Sequence, residues 1–102
     1  MIEKFTNIKD MLEYPSKGVL SKHIKKTSGM DITLFSMAAD TEIGDHTSTK
    51  EGSVYVIEGK GTFVLEGEEI EMVPGVMIYM DKNAVHSLKA EENTSFILTL
   101  SG

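Results

Sequence analysis

The chain has 102 residues, 10 basic against 16 acidic side chains, a formal charge of −6 and 40% hydrophobic content, the profile of a soluble globular domain built on one core. Every basic residue is lysine, and Arg, Cys, Trp and Gln are absent. That excludes a guanidinium fork for phosphate or carboxylate, thiol catalysis, disulfides and iron–sulfur clusters. A negative field without a basic stripe repels nucleic acid and anionic membranes, so neither is expected as a partner, and any metal must be held by His and carboxylate.

The N-terminal residues Met1 to Asp10 carry charge from Glu3 onward and contain no long apolar run, so neither a signal peptide nor a membrane span is expected and the cytoplasm is the default location. Asn7 is a suitable N-cap, and Ile8, Met11 and Leu12 follow at helical spacing until Tyr14-Pro15 stops the run. One short helix over about residues 7–13 is predicted. Beyond Gly18 the pattern turns to short β-like segments separated by turn residues. Candidate strands are Val19–Lys26, Asp31–Ala39, Gly52–Glu58, Gly61–Glu66, Glu69–Val73, Val76–Met80, Val85–Ala90 and Ser95–Ser101. Eight strands at this spacing predict a sandwich or barrel filling residues 18–102, in a chain read as a single domain.

Glycine in Glu58-Gly59-Lys60-Gly61 and Glu66-Gly67-Glu68-Glu69 supplies the positive φ of tight turns, which suggests three consecutive strands in a meander. Val54-Tyr55-Val56-Ile57 and Val76-Met77-Ile78-Tyr79-Met80 are apolar on both parities, so one face fills the interior and the other needs cover. A homodimer would supply it. Glu66 to Glu71 and Glu91-Glu92 read as solvated turns.

With no cysteine, the three histidines carry the chemical interest. His23, flanked by lysines, reads as an exposed or edge residue; His46 lies in a polar stretch, Ile43 to Thr49, between apolar segments; His86 opens a strand. Gly44-Asp45-His46 is followed thirteen residues on by Gly59, and Gly75 is followed eleven residues on by His86.

This spacing resembles the cupin family, whose first motif reads H-x-H, a glutamate and a glycine, and whose second runs from glycine through P-x-G to histidine and asparagine. His46 to Gly59 matches the first and Gly75 to Ala90 the second, with Ser48 at the second histidine slot, Gly52 at the glutamate slot, and Asp81, Asn83 and Ala90 replacing the turn and final asparagine. The resemblance implies an all-β, eight-stranded, double-sheet jelly-roll barrel, dimeric, with a ligand or metal inside. It implies His46, His86 and Glu51 as ligands of one divalent ion (zinc, nickel, iron or manganese), although only two of the family's four ligand types stand at their slots. Ser48, Tyr55, Met77 and Tyr79 are the candidates for contact with a small molecule. Three functions follow: a binding barrel for a small molecule or metal ion; a metal-dependent dioxygenase, isomerase or lyase on a small carbonyl or sugar-acid substrate; or a structural barrel whose site is lost.

Overall fold

The structure, a computed structural model, describes residues 1–101. The predicted N-terminal helix shrinks to one 3-10 turn, Ile8–Asp10, in which the Asn7 side chain accepts the Lys9 N–H at 3.0 Å. The cap is where the sequence places it, but one turn offers too few apolar contacts to propagate. Instead the segment is tied to the sheet: Lys22 Nζ donates to the Met11 carbonyl and pairs with Glu13 at 2.9 Å, and the Tyr14 hydroxyl donates to Glu58 Oε1 at 2.7 Å.

Nine strands follow: β1 (Val19–Lys26), β2 (Met30–Met37), β3 (Glu42–His46), β4 (Glu51–Glu58), β5 (Gly61–Leu65), β6 (Glu68–Met72), β7 (Met77–Met80), β8 (His86–Ala90) and β9 (Thr94–Ser101). Eight coincide with the predicted strands to within two residues at either end. The ninth, β3, occupies the stretch whose Gly44 and Asp45 read as a loop.

The strands form two antiparallel sheets, β1-β2-β9-β4-β7 and β3-β8-β5-β6, facing each other as a jelly roll. Consecutive strands β4 and β5 therefore lie in different sheets, and the predicted meander reduces to the β5–β6 hairpin. Glu66 (φ 48°) and Gly67 (φ 82°) close that hairpin, both left-handed, as a two-residue turn requires. Gly59 (φ 107°) carries the chain from one sheet to the other, where a Cβ would run into Asn93 and Thr94.

The core lies between the sheets. Val54, Val56 and Phe96 from the larger sheet meet Phe63, Met72 and Leu88 from the smaller, all buried. Phe35 stacks on Phe96 with ring centroids 5.3 Å apart. Alternate residues of β4 and β7 point the other way, leaving Tyr55, Met77 and Tyr79 exposed on the outer face. Among the described residues, no helix is long and apolar enough to cross a membrane.

Candidate functional site

A strand irregularity builds the site. In the β3–β8 ladder Ile43 pairs with Leu88 and His46 with His86, so three steps on β3 match two on β8. The extra residue is a β-bulge, and it restores an inward direction that regular alternation would deny to one of the pair. Ile43 and His46 consequently line the same cavity. Gly44 and Asp45, the residues that make the segment look like a loop, are those that bulge.

The cavity has a volume of about 60 Å³ and is walled by Phe35, Val54, Phe63, Met80 and Leu98, with His46 and His86 as its polar edge. The two rings are 4.0 Å apart at their centroids and tilted by 60°. His86 is 7% exposed and lies parallel to Phe63 at 5.7 Å. Each imidazole uses Nδ1 in the same way: His46 faces the Gly44 carbonyl at 2.9 Å and His86 the Ala84 carbonyl at 3.0 Å. A carbonyl only accepts, so Nδ1 carries the proton, and in the neutral ring Nε2 on the opposite edge is a bare acceptor. Burial pushes His86 below the ordinary histidine value, the Ala84 carbonyl pulls the other way, and neighbouring His46 adds to the lowering. His86 is therefore held neutral at pH 7, as an acceptor in an apolar setting.

The remaining sequence candidates stand elsewhere. β3 ends at His46, so Ser48 does not share its face; the Ser48 hydroxyl accepts the Lys50 N–H at 3.1 Å and its carbonyl accepts the Asn83 N–H at 2.7 Å. Glu51 pairs with Ser101 in an unbroken register and lies on the outer face, where with Tyr79 and Thr99 it borders a shallow depression. Tyr55 and Met77, partners across β4 and β7, point outward with Tyr79. The Tyr79 hydroxyl donates to Asp81 at 3.1 Å, and this bond raises its pKa. None of these five belongs to the histidine cavity. Its walls come instead from Met80 and from Phe35 and Phe63, the last two carrying only a core signal in sequence.

The glutamate slot of the motif is closed as well as empty. A Cβ on Gly52 would stand 2.6 Å from the Thr99 carbonyl oxygen and 2.7 Å from Leu100 Cδ2, so β4 and β9 approach too closely for any side chain there. Two imidazoles fit a divalent ion as half of a four-ligand set, but the other groups around them are hydrocarbon and one thioether. Among the described residues no group of three or more His, Cys, Asp or Glu converges to hold a metal. The residues present do not fit a tight site for zinc, nickel, iron or manganese.

Residues 33–101 match the Cupin domain family, and the chain belongs to it. No curated protein sequence matches it. A conserved protein of unknown function from Streptococcus pyogenes superposes with a TM-score of 0.86 at 23% identity, over 99% of this chain and 89% of that one. A cupin superfamily protein from Desulfitobacterium hafniense superposes at 0.87 with 15% identity, over 99% and 93%. A variant of salicylate 1,2-dioxygenase from Pseudoaminobacter salicylatoxidans superposes at 0.78 with 17% identity, covering 92% of this chain and 30% of the enzyme. At these identities the likeness is one of fold.

Proposed function

We propose that this cupin is a binding barrel for a small molecule that presents an uncharged hydroxyl or N–H donor to the histidine cavity. The observation that carries the reading is the pair of imidazoles at the cavity edge, each with its Nδ1 proton given to a backbone carbonyl and its Nε2 left to accept from a ligand. Apolar walls with a few convergent polar groups are the usual form of a small-molecule site. No lysine lines this cavity, which argues against phosphorylated or carboxylated ligands.

The metal-dependent dioxygenase, isomerase or lyase reading requires a third ligand, and Glu51 is on the wrong face to supply it. The outer face favours a homodimer: Tyr55, Met77 and Tyr79 are 40%, 63% and 57% exposed and adjoin one another on β4 and β7.

Titration of isotope-labelled protein with 1-pentanol, followed by NMR, tests the binding reading. Shifts confined to His46, His86 and the cavity walls, lost in His46→Ala, support it. If millimolar pentanol leaves these signals unmoved while micromolar zinc shifts both imidazoles and binds stoichiometrically, the metal-dependent reading replaces it.

A further inference from the structure

The inner face of the larger sheet holds a second polar group, which the function above does not use. Ser21 and His23 on β1 and Asp31 and Thr33 on β2 line a pocket of about 190 Å³, and two of its other walls are Phe35 and Leu98. Those same two side chains wall the histidine cavity. The pairings show how the two pockets meet: Ser21 lies opposite Phe35 and His23 opposite Thr33 across β1–β2, while Thr33 lies opposite Leu98 across β2–β9. One continuous strip thus runs from β1 to the cavity, polar at both ends and apolar between.

The hydrogen bonds of the second group fix its chemistry. The Thr33 hydroxyl donates its single proton to Asp31 Oδ1 at 3.0 Å. Toward His23 Nδ1, 3.3 Å away, it is then the acceptor, so Nδ1 carries the proton and Nε2 of the neutral ring is bare. His23 Nδ1 also lies 3.7 Å from Asp31 Oδ1, which orients the ring further. The relay from His23 through Thr33 ends on one oxygen of Asp31. In all three histidines of the chain it is Nδ1 that meets an oxygen partner, which leaves Nε2 as the other edge. Lys26 stands opposite Asp31 across β1–β2 but lines neither pocket, so the groups that the strip itself presents are a carboxylate and imidazole nitrogens. An anionic ligand finds no partner there, whereas a protonated amine finds Asp31 and a hydroxyl finds the His46–His86 pair.

We infer that His23, Asp31 and Thr33 form a second subsite that reads a protonated amine, so that the barrel takes a short amino alcohol whose apolar chain lies over Phe35 and Leu98. This rests on the binding reading of the histidine cavity. A charged hydrogen bond at a partly exposed site is worth about tenfold in affinity.

The test compares 5-amino-1-pentanol with 1-pentanol on wild type, Asp31→Asn and His46→Ala, by NMR titration. Asn keeps an oxygen for Thr33, and an unchanged Tm shows that the variant folds. The inference predicts that the amino alcohol binds about tenfold more tightly than pentanol, shifts His23 and Thr33 as well as His46 and His86, and loses that advantage in Asp31→Asn while pentanol is unaffected. Equal affinity of the two probes, unchanged in Asp31→Asn, overturns the amine subsite and leaves the histidine cavity standing. Amine-dependent shifts at His23 and Thr33 without any at His46 or His86 overturn the joined site and the binding reading of the cavity. Failure of both probes at millimolar concentration overturns both.

Discussion

The end of β3 and the start of β4 meet the same problem and solve it differently. Each carries a polar side chain that the sequence offers as a ligand, His46 at its motif slot on β3 and Glu51 one position before the slot on β4. The bulge between Ile43 and His46 turns His46 inward, whereas β4 runs in regular register from Glu51 and leaves that carboxylate outside. The difference shows that one extra backbone residue, rather than the type of side chain, decides which groups enter the cavity.

The largest effect that sharpens this inside–outside contrast comes from the core. Phe63→Ala removes a ring that is 1% exposed and packs on His86, and it should cost about 3–5 kcal/mol by urea denaturation. Tyr79→Ser on the outer face should cost under about 0.5 kcal/mol in the monomer. Gly52→Ala comes next. Forcing a Cβ against the Thr99 carbonyl should cost about 1–3 kcal/mol, and Gly52→Glu should destabilise further instead of restoring a metal site. Stoichiometric zinc uptake by a stable Gly52→Glu protein would show that the slot is open after all.

A smaller effect follows from protonation. Burial holds His86 below its ordinary value of about 6.5, so on acidification the unfolded chain takes up the proton first. Its contribution to stability is complete above about pH 6.5 and declines as pH falls through the folded-state value. Denaturation at pH 7.5 and pH 5 should show a larger loss in wild type than in His86→Leu, and equal losses would contradict the burial argument. The smallest effect on stability, and the clearest on association, is expected from Met77→Ser with Tyr79→Ser. If the outer face joins two copies, sedimentation should change from dimer to an 11.2 kDa monomer; a wild-type monomer would refute the dimer.

Much of the fold was legible because hydrophobic patterning and glycine turns act locally: the Glu66-Gly67 turn and the bounds of β1 read directly from sequence, whereas β4, apolar on both parities, did not show that Val54 and Val56 rather than Tyr55 face inward. The crossing at Gly59 was not legible, since a tight turn looks the same whether the next strand pairs with the last or joins the opposite sheet. Spacing singled out His46 and His86, and the structure brings the two to the edge of one cavity. Ser48, Glu51, Tyr55, Met77 and Tyr79 were misplaced because face assignment depends on where a strand stops and where it bulges, and both are settled by cross-strand pairing. His23 reads in sequence as an exposed or edge residue and is one, 57% exposed on edge strand β1; its approach to Thr33 and Asp31 appears only through cross-strand pairing.

The central claim is that the interior presents imidazole acceptors rather than donors. Long-range nitrogen–proton correlation spectra of the histidine rings at pH 8 test it directly. The structure predicts the Nδ1-protonated tautomer for His46, His86 and His23, each with an unprotonated Nε2. Nε2-protonated rings at His46 and His86 would mean that the cavity donates hydrogen bonds, and the proposed ligand chemistry would be wrong.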